Sequence, residues 1–581
     1  MLSRRQYAWE SSYPAGMRWD SPIATSTLQE LLDRAVADYG DRPALEYLNH
    51  SISYRELGKH AARAAAAFRH IGIDRDCAVA LLLPNTPWHP VTFFGVLRTG
   101  ARIVHLSPLD VERELIHKLT DSGARTIVTT NLSGLDAKAI KLAEAGHVDR
   151  VIVTDDGVWA NASPSPREGG KKKGEKKDRG EFNCPARRDS HRLALEHLMA
   201  EARMPAAWPA VSQDDIALLQ YTGATTGVPK AAVLSHANLT AAVSSYRIWT
   251  TGQRPADAPP DRVLMVLPLF HIYGLTSVML RHLAMGSMLL LRTRFDIEAA
   301  LRDIESGRVT SFPGVPTMWI AFVNHPDIER RDLTALRSCV SGGAPLPVEV
   351  AERVRRICGL PLPSGWGMTE TSPAATNSPV RAPSKPGTIG LPLPGITVEV
   401  VALDDPHRVL PAGEVGELRV KGKNVMQGYW NRPADTAAAI ADGGFLSGDI
   451  GTMDEDGYFF ILDRKKDMIL SGGFNVYPQV IEQAIYEHPD VEQALVIGIA
   501  DAYRGEAAKA FVKLRSGAAP LTLDALRDFL ADKVGRHEMP AALEIRPALP
   551  RTSVGKLSKK ELIEEERARA SRVLEKNQGK N

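Results

Sequence analysis

Apolar and polar positions along the chain follow two periods. Over residues 28–39, Leu28, Leu31, Leu32, Ala35, Val36 and Tyr39 recur at helical spacing. Thr27 and Glu30 form a capping box in front of that helix, and Gly40 supplies its stop. The same punctuation recurs at Ser53 and Glu56, before a helix through Phe68 that ends near Gly72. "CAVALLLPN" at 77–85 is a continuous apolar run of the length of a buried strand. Helices that alternate with short apolar strands predict an α/β layered fold.

Two stretches depart from this rhythm. "SPSPREGGKKKGEKKDRGEFN" at 163–183 is almost devoid of apolar residues, so burial cannot offset its ordering entropy; a disordered basic loop is expected. Its lysines would also suit weak peripheral contact with an anionic membrane surface. Near residue 445 the texture changes. Asp456-Gly457 marks a hairpin turn between two strand-like runs, and "DRKKD" at 463–467 is a charged break. Beyond it come a short strand, a loop "SGGFN", a helix opened by Pro478 and a strand at "ALVIGIA". This predicts a smaller α+β domain over 467–581, joined through a hinge at 463–466 to a larger domain over 1–462.

Composition narrows the function. The 581 residues are 44% hydrophobic and 24% charged, enough for two or more domains with sizeable cores. The 71 basic and 69 acidic residues leave a net charge of +2, which makes no case for nucleic-acid binding. Cys77, Cys184, Cys339 and Cys358 show no CxxC spacing, and so few thiols suggest a reducing compartment. The N-terminus lacks a signal-peptide core, and the longest apolar run, 263–275, is interrupted by Pro268 and His271. A soluble cytoplasmic protein is expected.

The chemistry begins at "YTGATTGVPK", 221–230. It is not a Walker loop, because Pro229 separates Gly227 from Lys230 and Ala231 follows the lysine. Glycines, threonine hydroxyls and a lysine can nonetheless cradle phosphate. "GWGMTETSP" at 365–373, "SGDIG" at 447–451, "DRKKDMILSGGFNVYP" at 463–478 and "PRTSVGKLSKKEL" at 550–562 follow in order. In this order and spacing, from about residue 25 to about 565, the chain resembles the adenylate-forming superfamily of acyl-CoA synthetases, adenylation domains and luciferases. In style it is most similar to bacterial fatty-acid and dicarboxylate CoA ligases.

The resemblance implies a large multi-subdomain N-terminal domain of mixed sheets layered with helices, a small mobile C-terminal domain, and an active site between them. It implies ATP, Mg2+ and coenzyme A, with a carboxylic acid converted first to acyl-AMP and then to a thioester. Thr222, Gly223, Ala224, Thr225, Thr226, Gly227 and Lys230 match the phosphate loop. Ala224 and Ala231 stand where the family has glycine, and Ala224 would cost ~1 kcal/mol if its position needs positive φ. Glu370 matches the magnesium ligand, and Thr369 a donor to the α-phosphate. Gly342, Gly343 and Ala344 match the adenine-lining turn, and Trp366, between Gly365 and Gly367, replaces a tyrosine that packs on adenine. Asp449 and Arg464 match ribose contacts, Lys466 the hinge, and Gly472 and Gly473 the pantetheine tunnel. Lys556 matches the adenylation lysine, while Lys559 and Lys560 beside it are expected to be solvated. His271 matches a residue flanking the substrate carboxylate.

The acid pocket is expected among the residues after His271, 314–322 and 365–373, whose apolar character favours a medium or long alkyl chain. Aryl and dicarboxylic acids stay open, as do a carrier-loading acyl-AMP ligase, an idle homologue acting as a scaffold, and the oligomeric state, a homodimer included.

Overall fold

The computed structural model describes residues 7–160, 191–222, 229–380, 385–472, 474–501, 503–551 and 557–578. The basic segment 163–183, Gly223–Gly227, Gly473 and Lys556 lie outside them. The capping signals act where the sequence places them. The helix Leu28–Tyr39 starts at Thr27, whose side chain accepts from the Glu30 N–H while Glu30 returns the bond, and stops at Gly40 with φ +41°. Ser53 and Glu56 open Tyr54–His70 in the same way.

Two large sheets carry these helices. An eight-stranded sheet has Arg102–His105, Ala78–Leu82, Thr126–Thr130 and Arg150–Thr154 in parallel, then turns antiparallel at Ile216–Tyr221 and Ala231–Ser235. A nine-stranded sheet runs parallel through Met288–Leu291, Arg262–Met265, Ser311–Gly314, Ser338–Gly342 and Ser364–Trp366. The core between them takes Leu28, Phe68 and Phe93 from helices, Val79 and Ile103 from one sheet, and Val263 and Leu289 from the other. Parallel strands buried on both faces explain their unbroken apolar runs. The 263–275 stretch divides into the strand Arg262–Met265 and the start of a π-helix, Tyr273–Leu280. Among the described residues no helix is long and apolar enough to cross a membrane.

A third, antiparallel sheet follows. The Asp456-Gly457 turn, with Gly457 at φ +81°, joins Gly444–Met453 to Phe459–Arg464 and sets Asp449 opposite Arg464. The next sheet starts at Ile469, so the 463–466 segment lies where one sheet ends and another begins. In this C-terminal unit Val491–Asp501 and Gly505–Leu514 pair over their full length, backed by Pro478–Tyr486 and Leu523–Leu530.

Two expectations are corrected here. "SGGFN" is not simply a loop: Phe474–Val476 pairs antiparallel with Ile469–Ser471, making a hairpin. Lys559 is not solvated. Its ammonium sits 2.9 Å from Glu482 with both side chains mostly buried, and Glu482 also accepts the Val496 N–H. Lys560 is exposed, as expected. A lysine-rich run conceals such a residue because burial here is set by the facing helix Pro478–Tyr486 rather than by local composition. Lys559→Met leaves Glu482 buried without its counter-charge, a loss of about 3 kcal/mol. Hydrogen exchange in Pro478–Tyr486 should then quicken by about 10²-fold. Unchanged protection would contradict the pairing.

Candidate active site

The loop read as a phosphate cradle joins two antiparallel strands. Thr222, after Ile216–Tyr221, donates its N–H to the Lys230 carbonyl at 2.9 Å, closing the loop at its base. Lys230 lies 2.5 Å from Asp435 and 5.4 Å from the Tyr429 ring centre. An incoming polyphosphate would have to draw the lysine away from that carboxylate.

Glu370 lies in a tight turn, Thr369–Thr371, at the end of the strand Ser364–Trp366. Asn424 fixes the turn by donating to the carbonyls of Thr371 and Ala374 at 2.7 and 2.6 Å, and the Met426 N–H donates to the Glu370 carbonyl. Gly367 is required, since a Cβ there would fall 1.4 Å from the Pro373 oxygen. The Glu370 side chain is buried and accepts from the Tyr429 hydroxyl at 2.7 Å. Burial raises its pKa, and the tyrosine hydrogen bond pulls part of the way back. A carboxylate with one neutral donor keeps acceptor positions for a hard cation, so the residues present suit Mg2+. Thr369 is half-buried beside it.

Asp449 is also buried. One oxygen lies 2.5 Å from the Arg464 guanidinium, and the other accepts from the Trp366 indole N–H at 2.8 Å. Burial raises its pKa against the opposing pull of Arg464 and Trp366. Trp366 therefore ties the nine-stranded sheet to the third sheet. Gly342 and Gly365 are register partners on neighbouring strands. A Cβ on Gly342 would meet the Tyr273 ring at 3.0 Å, and Gly343 follows at φ +81°, with Ala344 half-buried after it. His271 Nδ1 accepts the Tyr273 N–H at 3.2 Å, which leaves the ring proton on Nε2 when the ring is neutral.

An open cleft of about 380 Å³ brings Lys230, Met368, Glu370, Tyr429 and Arg464 together. His271 and the Gly342–Ala344 turn do not line it. Lys466 is exposed two residues after Arg464, and local desolvation of its ammonium together with that charge lowers its pKa. Gly472, at φ +58°, is exposed in the C-terminal unit and donates to the Arg504 carbonyl. Tyr429, Asp435 and Asn424 were not foreseen. Tyr429 reaches Glu370 because Gly428–Tyr429 pairs with the strand after Lys230, about two hundred residues earlier, and no local spacing announces that.

The family model for AMP-binding enzymes matches residues 32–430, and the model for the AMP-binding enzyme C-terminal domain matches 480–556. The chain belongs to the AMP-binding enzyme family. Along nearly its whole length it is similar to long-chain-fatty-acid–CoA ligases. It is 35% identical to that of Bacillus subtilis (strain 168), over 97% of this chain and 98% of the other. It is 37% identical to that of Salmonella typhimurium (strain LT2), over the same shares. Its fold is similar to that of ATP-bound MatB from Rhodopseudomonas palustris, with a TM-score of 0.79 and 28% identity over 93% of this chain and 99% of that one. This family member is an ATP-dependent acyl-CoA ligase, an AMP-forming acid–thiol ligase that uses ATP, Mg2+ and CoA.

The buried Glu370–Tyr429 pair gives a pH test. A carboxyl holds a divalent cation only when ionised, so pyrophosphate release should fall as pH drops through the raised pKa of Glu370. Tyr429→Phe removes a donor that favours the ionised form, so its acid limb should lie at higher pH than in the wild type. Glu370→Gln should lose at least ~10²-fold at every pH. An unmoved limb in Tyr429→Phe, or near-normal Glu370→Gln across a magnesium titration, would reject the assignment.

Proposed function

We propose that this ligase activates a medium- or long-chain fatty acid, with the nucleotide held along the cleft between Lys230 and Arg464. The observation that supports this most is that Lys230, the buried Glu370 and Arg464 line one cleft, and that Arg464 pairs with a second buried carboxylate, Asp449. That order of charges suits a ribose at Asp449 and phosphates toward Lys230. Asp449 accepts the ribose hydroxyls, two donors meeting one bidentate acceptor. Trp366 and the Gly342–Ala344 turn flank the adenine. Lys230, with the Thr222–Gly227 loop, neutralises the β- and γ-phosphates. Glu370 would hold Mg2+, which supplies charge neutralisation at the phosphates.

The acid's carboxylate oxygen bonds to the α-phosphorus as the bond to pyrophosphate breaks. Lys556 offsets the meeting of two anions, Thr369 donates to the α-phosphate, and His271 flanks the carboxylate. The CoA sulfur then bonds to the acyl carbon as AMP leaves. The small domain turns about Lys466 between these steps, exchanging Lys556 for the Gly472–Gly473 loop. The co-substrates suit the cytoplasm, and the 163–183 lysines would give weak contact with an anionic membrane.

Separate assays of the half-reactions test the alternation. Lys556→Ala should abolish acyl-AMP formation yet still convert supplied acyl-AMP and CoA. Lys466→Pro fixes φ at the hinge and should retain adenylation while losing thioester formation. Equal loss of both half-reactions in folded Lys556→Ala would contradict the scheme. AMP release independent of CoA, with transfer to a carrier protein instead, would overturn the choice of acceptor.

A further inference from the structure

His271 is carried on a turn of chain, 266–271, between the strand Arg262–Met265 of the nine-stranded sheet and the π-helix Tyr273–Leu280. The turn is tight. The His271 N–H donates to the Pro268 carbonyl at 3.1 Å, and a Cβ on Gly274 would fall 2.3 Å from that same oxygen. Further backbone groups of the turn are met from the other large sheet. Asn85, just past the strand Ala78–Leu82, donates to the carbonyls of Met265 and Leu267 at 3.2 and 2.9 Å and accepts the Leu269 N–H at 2.9 Å. Gln220, in the strand Ile216–Tyr221, donates to the Phe270 carbonyl at 3.0 Å. Both side chains are buried.

The direction of each bond behind Gln220 follows from that carbonyl. A carbonyl only accepts, so the Gln220 amide nitrogen must face Phe270 and its oxygen must face His105, whose Nδ1 lies 3.0 Å away. His105 Nδ1 therefore carries the proton. Burial pushes the His105 pKa down to about 4, so the ring is neutral and its Nε2 is an acceptor. Nε2 of His89, 3.2 Å from it, must then donate, which leaves His89 Nδ1 bare, buried and without a partner. A row of oriented groups thus stands behind one carbonyl, and a flipped Gln220 amide would set oxygen against oxygen at Phe270. A buried ring nitrogen without a partner costs stability, whereas apolar side chains in its place would not.

Gln220 stands where two parts of the site meet. Along its own strand it precedes Thr222 by two residues, and its register partner Ala232 follows Lys230 by two. Through its side chain it holds the residue before His271. We propose that Gln220, with Asn85, is a positioning residue for adenylation, fixing His271 relative to Thr222 and Lys230 so that the acid's carboxylate meets the α-phosphorus in the reactive geometry. This rests on the roles given above to His271 and the phosphate loop. Gln220 acts through His271 rather than in either bond exchange.

The test uses the full-length enzyme with ATP, Mg2+ and the fatty acid it turns over best, read as pyrophosphate release. Gln220→Met keeps the volume and removes the donor. It should lower kcat on the order of 10- to 10²-fold, the scale of a small misplacement, and leave KM for ATP within about threefold. The same substitution in a His271→Ala background should cost about twofold or less, because the residue it acts through is gone. A Gln220 that only supports the fold would cost the same in both backgrounds. In the wild type, the buried Leu269 amide, held by Asn85, should exchange its hydrogen as slowly as the amides of Arg262–Met265, a readout that needs no variant. Equal losses for folded Gln220→Met in both backgrounds, or exchange at Leu269 as fast as in an exposed loop, would overturn the inference and leave the role of His271 standing. A fully active His271→Ala would overturn that role and the inference with it.

Discussion

The burial of one carboxylate organises the site. Asp449 is placed by strand register directly across from Arg464, and its second oxygen is met by an indole from a different sheet. A charge removed from water is tolerated only when paired and hydrogen-bonded. Asp449 therefore requires the third sheet, the strand Ser364–Trp366 and the last residues before the domain border to meet at one point. Wherever those three elements converge, the cleft beside them is fixed in position.

Glu370 repeats the logic with a different balance. Its carboxyl accepts from a neutral phenol, and burial leaves it harder to ionise than an exposed one. Such a group is stabilised by a cation arriving from outside, whereas Asp449 brings its own. Lys230 is the converse case, a cation already paired with Asp435. The cleft is thus electrostatically preorganised, with few adjustments left to the moment of reaction.

Local structure was legible where a signal and its effect lie within one turn of chain. The capping residues Thr27 and Ser53 and the Asp456-Gly457 turn act as read. The ordered motifs were enough to assign the family, and of the residues that line the cleft they singled out Lys230, Glu370 and Arg464. What was not legible depends on partners distant in sequence. Trp366 presents its N–H to Asp449, Tyr429 reaches Glu370 through a two-residue strand, and Lys559 is buried by a facing helix.

The most direct measurement of this account is ATP affinity by titration calorimetry in the wild type and in Asp449→Asn. Asparagine keeps an acceptor for Trp366 but forfeits the charge and one of the two acceptor oxygens. The account predicts that the fold is retained and that ATP binds on the order of 10- to 10²-fold more weakly, the range for hydrogen bonds to a charged group. Undiminished ATP affinity in a folded Asp449→Asn would contradict the central claim that this buried carboxylate receives the nucleotide.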